Sequence, residues 1–305
     1  MNGSSQGKFL CFFFGPISVL PLALLRIVSG ALTLIWALFL YSDVEPLLTH
    51  LRVEPTRDIL WWQLFPDLPL LGVRLLCLSL VGASFLVMIG AWTRLAAWSA
   101  FLITLALQRY NPAAFNGGDL IMRGVIQLAV ALGPSGAYLS IDSVRRGQWN
   151  KLPPQIEAWP IRFVQLHISM GYLLTFYLKT RGHTWFDGTA LWYALNIEDL
   201  ARFNVPDVLI VPPFGAILTW LAVATEAFVG VGVWWHRTLP LALMAGIGLH
   251  VGIALTLEIG FFSLVMITSY LAFVPGAAFE RLLSRSRVRR DRVPFTPVEA
   301  PTMAP

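Results

Sequence analysis

The chain has 305 residues, of which 56% are hydrophobic and 13% charged, and a formal net charge of +5. Its mean hydropathy is +0.67. Soluble domains carry about 25% charged residues, so this composition excludes a water-facing surface over most of the molecule and indicates a multi-spanning membrane protein.

Lys8 followed by an apolar run from Phe9 has the outline of a signal peptide. No small-residue cleavage site ends the run, which continues through Arg26 to Tyr41, long enough to span a bilayer. It is therefore read as a retained first transmembrane helix. Apolar runs of spanning or near-spanning length occur at 17–41, 69–90, 93–107, 120–138, 161–178, 214–235, 239–257 and 259–275. The expected fold is all-α, a polytopic integral membrane helical bundle of about eight transmembrane helices. The third, fourth and eighth runs fall short of the ~20 residues that a perpendicular span requires, so seven spans or one partial span is the alternative. Residues 1–16 are expected to form a cytoplasmic N-terminus, 17–280 the membrane domain, and 281–305 a basic, then Pro-rich, disordered cytoplasmic tail. Cys11 and Cys77 are too few and too apolar in setting for a disulfide framework or a zinc cluster.

Short cytoplasmic loops carry the excess of Lys and Arg. Placing the tail inside puts Lys8, Arg94, Arg145, Arg146, Lys151, Arg162, Arg237 and the tail arginines from Arg281 to Arg292 on one side. The other side receives only Arg52, Arg57, Arg109, Lys179, Arg181 and Arg202. Both termini are thus expected in the cytoplasm, and the larger segments 42–68, 108–119 and 179–213 on the outer face. The basic cluster Arg285 to Arg292 fits attraction to anionic headgroups rather than to nucleic acid. The lipid bilayer is the expected partner, in a multi-pass plasma-membrane setting that the compact design suggests is bacterial.

Charges inside spans each cost roughly 2.5 to 3.5 kcal/mol on insertion scales, and so they call for partners. Arg26, Arg123, Glu226, His167 and His250 stand in such positions, and pairing of Glu226 with Arg26 or Arg123 would satisfy them. A pathway or catalytic role is the alternative. Asp119, behind Gly117 and Gly118 at the start of a helix, reads as an N-cap, or with Asn116 as part of a pocket beside Arg123. Lys179 ends an apolar segment and precedes the outer sequence that holds His183, Trp185 and Asp187. Burial disfavours a charged ammonium, so a lysine there can serve as a base, or it can snorkel to the headgroups. No metalloprotease, Cys-x-x-Cys, P-loop or Gly-x-Ser-x-Gly pattern is present, and no metal site is expected.

Between about Leu24 and Pro275 the sequence resembles the vitamin K-dependent γ-carboxylase-like, or horizontally transferred transmembrane (HTTM), family. The resemblance rests on the order and spacing of several short matches. These are Leu24, Leu25 and Arg26; Asn111 and Pro112 with Asn116 to Asp119; Leu139 to Asp142; Gln165 to Lys179 followed by Trp185 to Ala190; and Leu249 and His250 leading to Gly260 through Met266. The animal carboxylase of this family uses a lysine after its fifth-helix region to deprotonate reduced vitamin K. The resemblance carries that role to Lys179, with His250, Asn116 and Asp119 as polar neighbours. It suggests Arg26, Arg123 and Trp185 as contacts for a vitamin K-like reduced quinone.

Two departures shape the expectation. Where the animal enzyme has a histidine soon after its asparagine, this sequence has Gly117 and Gly118, and no counterpart of the large lumenal substrate-gripping region is expected after the last helix. The expectation is therefore a carboxylase-like scaffold, between lyase and oxidoreductase chemistry, acting on another quinone- or lipid-linked substrate with Lys179 as base at the outer face. The alternatives are a non-catalytic accessory protein for an exported peptide and a small-molecule transporter.

Overall fold

The computed structural model describes residues 3–45, 68–108, 117–148 and 151–281. Each of the eight apolar runs coincides with a helix. These are α2 (Leu20–Ser42), α3 (Leu70–Ile89), α4 (Thr93–Gln108), α5 (Gly117–Leu132), α7 (Trp159–Thr180), α11 (Phe214–Gly232), α12 (Leu239–Thr256) and α13 (Phe262–Ser269), the last extended by a 3-10 turn, Tyr270–Phe273. Shorter helices occupy the connections: α1 (Gly3–Phe14), α6 (Ile141–Arg145), α8 (His183–Phe186), α9 (Ala190–Leu195) and α10 (Asp207–Ile210). Four helices, α2, α3, α11 and α12, are long and apolar enough to cross a membrane. The fold is an α-helical membrane bundle, and eight full crossings go beyond what length and composition establish.

The apolar stretch from Phe9 to Tyr41, expected as one helix, is divided. Residues Gly3–Phe14 form α1, which at 12 residues is too short to span, and a strand β1 (Pro16–Ser18) separates it from α2. This strand pairs antiparallel with β2 (Gln155–Glu157), Ile17 opposite Ile156, so a two-stranded ribbon interrupts the all-α expectation. Pro21 in the first turn of α2 marks where the helix restarts. The fourth run also ends early, at Leu132, because Gly133 and Pro134 stop the helix before a 3-10 turn at Ser135–Ala137.

The surface explains why the bundle suits lipid. Side chains pointing away from the core are themselves apolar: Ile35, Leu38 and Phe39 on α2, Leu71, Leu75 and Leu78 on α3, and Leu241, Met244 and Leu255 on α12. A helix that is apolar on all sides belongs in a membrane or a large protein interior. In α2 the buried face instead collects Arg26, Ser29 and Thr33 beside Leu22 and Leu25. Polarity is thus turned inward, the reverse of a water-soluble helix.

Helices α2 to α5 pack in sequence as neighbours, α7, α11 and α12 form a second layer, and α13 touches α2, α5, α7 and α12. Ser18 donates to Glu280 Oε1 at 2.9 Å, which ties the chain after α13 to β1. The ribbon, α1 and the start of that last segment therefore share one end of the bundle, called the proximal face below. The end of α7, with α8 and α9, lies at the opposite, distal face.

Candidate functional site

The sequence of α7 builds the site. Arg162, Gln165, Ser169, Tyr172 and Lys179 recur at intervals of three, four and seven residues, so they form one stripe along the helix. The stripe faces other helices. Arg162 Nη1 donates to Gln165 Oε1 at 2.8 Å, Gln165 Nε2 to Ala272 O at 2.7 Å, and Trp234 Nε1 to Ser169 Oγ at 2.8 Å.

At the distal end of the stripe, Lys179 folds back into the bundle and donates to Glu226 Oε1 of α11 at 2.5 Å. The lysine side chain is 23% exposed and the glutamate 9%. Trp185 lies over the Lys179 side-chain nitrogen, 4.4 Å from Nζ to the ring centroid, in cation–π geometry. The second carboxylate oxygen, Glu226 Oε2, is buried and has no hydrogen-bond partner among the described residues.

Two helical turns deeper, the Tyr172 hydroxyl lies 2.6 Å from His250 Nε2 of α12 and within hydrogen-bond reach of the Tyr270 hydroxyl. All three side chains are at least 95% buried. His250 Nδ1 is likewise buried and without a hydrogen-bond partner among the described residues. Gly246, one turn before His250, makes room for this arrangement: a Cβ there would overlap the Tyr270 hydroxyl. Phe262 meets the His250 ring edge-on, with centroids 5.3 Å apart.

A short cap covers the distal end. Thr219 Oγ1 of α11 donates to Gly188 O at 3.1 Å and accepts from Leu191 N at 3.3 Å, while Trp220 Nε1 donates to Phe186 O at 3.2 Å. Further on, Glu258 N donates to Leu200 O at 2.7 Å and Arg202 N to Thr256 O at 3.0 Å. These bonds hold the segment after Lys179 against α11 and the end of α12. Asp187 Oδ1 accepts from the Thr189 hydroxyl and backbone N–H, which hold its carboxyl below the ordinary range. With His183, 2.9 Å from Asp187 and 92% exposed, this is a surface turn.

The other residues singled out from the sequence lie elsewhere. Asp119 and Arg123 form their own pair, with Arg123 Nη2 donating to both carboxylate oxygens at 2.9 and 3.0 Å. Arg123 also reaches Thr33 Oγ1 at 3.2 Å and stacks on Trp36, 4.8 Å from its centroid. Phe261 lies 5.9 Å from the same guanidinium, so the neighbours Phe261 and Phe262 face the two polar groups, one each. Arg26 is near the proximal face. It donates to four backbone carbonyls, Val87 at 2.7 Å, Met88 at 3.0 Å, Leu139 at 2.5 Å and Ser135 at 3.2 Å. The suggested pairing of Glu226 with Arg26 or Arg123 is not what forms: Lys179 takes Glu226, Asp119 takes Arg123, and carbonyls take Arg26. Asn116 lies outside the described residues, as do Asn111 and Pro112.

A family model described as the HTTM domain matches residues 14–276. The chain belongs to the HTTM family. No curated protein and no solved structure matches it. For this HTTM chain the motif around Leu139 to Asp142 has a visible structural role, since Leu139 and Ser140 meet Arg26 and Gly90 while Asp142 caps α4. Tyr172 and Tyr270 were not foreseen as members of the site, and Glu226, singled out as a buried charge, was expected beside Arg26 or Arg123 rather than Lys179. The heptad spacing of Tyr172 and Lys179 was the available signal, whereas Glu226 and Tyr270 are brought in only by the packing of α11 and α13.

Proposed function

We propose that this HTTM protein is a membrane enzyme that takes a proton from a quinol- or lipid-linked substrate at the distal, outward face. The observation that carries this reading is the Lys179–Glu226 pair with Glu226 Oε2 buried and unpartnered beside it. A structural ion pair gains most when its remaining lone pairs are satisfied, and this one leaves an acceptor open.

The pair shares one proton between an amine and a carboxylate. With that proton on Lys179, the open acceptor is Glu226 Oε2; with it on Glu226, the amine of Lys179 is neutral and accepts. Either way the couple takes up one further proton, and Trp185 stabilises the ammonium that results. A reduced quinone, when bound, would supply an acidic hydroxyl, and an orphaned buried acceptor fits such a donor. Tyr172, His250 and Tyr270 hold a hydrogen-bonded reserve two turns deeper, able to pass protons among themselves. The cap from His183 to Leu195 limits water at the pair.

The buried charges favour this reading over a transporter, because Arg26, Arg123 and Glu226 are neutralised in three separate clusters rather than along one path. The test is extraction of the protein from native membranes in mild detergent, followed by mass spectrometry of bound small molecules. A quinone or isoprenoid lipid is expected with the wild type and lost in Lys179→Ala and Glu226→Gln. Its absence from the wild type, or its retention in both variants, would overturn the proposal.

A further inference from the structure

A cavity lies at the opposite end from the Lys179 site. It measures about 460 Å³ and is bounded by Thr93, Arg94, Gly136, Arg146, Gln148 and Pro154 among others. Its lining residues belong to the start of α4, the turn after α5 and the neighbourhood of α6, so the start of one helix meets a stretch that follows the next one in the chain. Volumes of a few hundred Å³ are those of small-ligand sites.

The polar lining is cationic in effect. Arg94 forms no ion pair among the described residues. Among the described residues the Arg146 guanidinium makes one hydrogen bond, Nη2 to Gly136 O at 2.6 Å, and its charge also acts on the nearby Asp142. Asp142 also lines the cavity, but its charge is committed elsewhere. Oδ1 accepts from Trp92 N at 3.0 Å, and Oδ2 from Thr93 N at 2.8 Å and from Thr93 Oγ1 at 2.7 Å. Arg145 stands 3.9 Å from Oδ1 as a further counter-charge. Leu132, Pro134, Ala137 and Pro154 add apolar surface to the lining beside the polar Ser135 and Gln148, so the cavity combines a charged rim with an apolar flank.

Two planar guanidiniums beside an apolar wall, at the proximal face of a membrane bundle, match a phosphate that carries apolar substituents. We infer that this cavity is a binding site for a phosphate-bearing anion, with Arg94 and Arg146 as its ligands, and that an anionic phospholipid headgroup of the proximal leaflet is its occupant. This site is independent of the proposed chemistry at Lys179 and stands or falls without it.

The test uses the full-length chain purified in detergent, with dioleoylphosphatidylglycerol added and dioleoylphosphatidylcholine as the comparison. Binding is read as lipid adducts in native mass spectrometry and as a shift of the thermal midpoint. Phosphatidylglycerol is expected to bind and stabilise, and Arg94→Gln to weaken it about tenfold, the order expected for one lost charge-assisted contact. Because Arg94 is exposed and its side chain makes no hydrogen bond or ion pair among the described residues, this variant should purify normally; Arg146→Lys, which keeps the charge but loses the fork, is the second. The control is Arg237→Gln, which removes a charge from the other proximal hairpin without touching the cavity, and which should change affinity less than about twofold. Equal weakening by the Arg94 and Arg237 variants would overturn the inference, because a diffuse basic face would then explain the binding. So would equal binding of phosphatidylcholine. Inorganic phosphate separates the sources: competition at millimolar concentration that depends on Arg94 identifies a free-anion site, and no competition identifies the lipid headgroup.

Discussion

An ammonium and a carboxylate inside an apolar bundle are tolerable only together. Removing Lys179 leaves the Glu226 carboxylate buried and unpaired, which costs about 3 to 5 kcal/mol when a pair of this kind is broken from one side. Replacing both partners with apolar residues removes the two desolvation penalties along with the attraction. Lys179→Ala is therefore expected to destabilise strongly, and Lys179→Met combined with Glu226→Leu to recover most of the loss, read by unfolding in detergent. Additive losses in the double variant would mean that the two side chains do not depend on each other. The same pair shows what a single chain reveals at this scale. Lys179 was legible because it ends an apolar run, where a base is conspicuous. Its partner was not, because Glu226 is 47 positions away and three basic side chains compete for it on paper. Only the packing of α7 against α11 decides among them.

At the scale of elements, the joint between α3, α4 and α6 is held by a few polar side chains acting on backbone. Gly90 ends α3 with φ +68, and a Cβ there would overlap Ser140 and the Arg26 guanidinium. Arg26 takes the last carbonyls of α3, and Asp142 takes the first N–H groups at α4, so both helix ends are satisfied by side chains from other elements. Burial works against the Asp142 carboxylate. The N–H and hydroxyl of Thr93, the N–H of Trp92 and the nearby Arg146 outweigh it and hold the carboxyl below its ordinary range. A lowered folded-state value means that this stabilisation is fully present above about pH 4, where the unfolded carboxyl is ionised, and is lost as pH falls through the folded value. Asp142→Asn should therefore lower the thermal midpoint at neutral pH and flatten the midpoint's fall below pH 4. An unchanged acid limb in the variant would show that another group controls it. The sequence places Leu139 to Asp142 in a motif, yet the motif's meaning lies in capping a helix that begins 49 residues earlier, a pairing no local pattern encodes.

For the whole molecule, the helix positions were readable because lipid imposes length and apolarity on each span, and the eight runs coincide with helices. What periodicity missed was the break at Gly15 and Pro16 and the ribbon that follows, since three-residue strands carry no pattern of their own. That ribbon nonetheless bears on orientation. It joins residues 16–18 to 155–157, and Ser18 joins Glu280, so the first segment, the connection after α6 and the chain beyond α13 lie on one face. Arg94, Arg145, Arg146, Lys151 and Arg237 belong to connections at that same end. The excess of positive charge there argues that it faces the cytoplasm. In a background with exposed Cys11 replaced by serine, a cysteine at His183 should react with a membrane-impermeant maleimide in intact cells. A cysteine at exposed Arg237 should react only after the membrane is opened. Labelling in the opposite sense would invert the bundle and bring the Lys179 site to the cytoplasm. Labelling of both positions in intact cells would break the link between the two faces and the two sides of the bilayer.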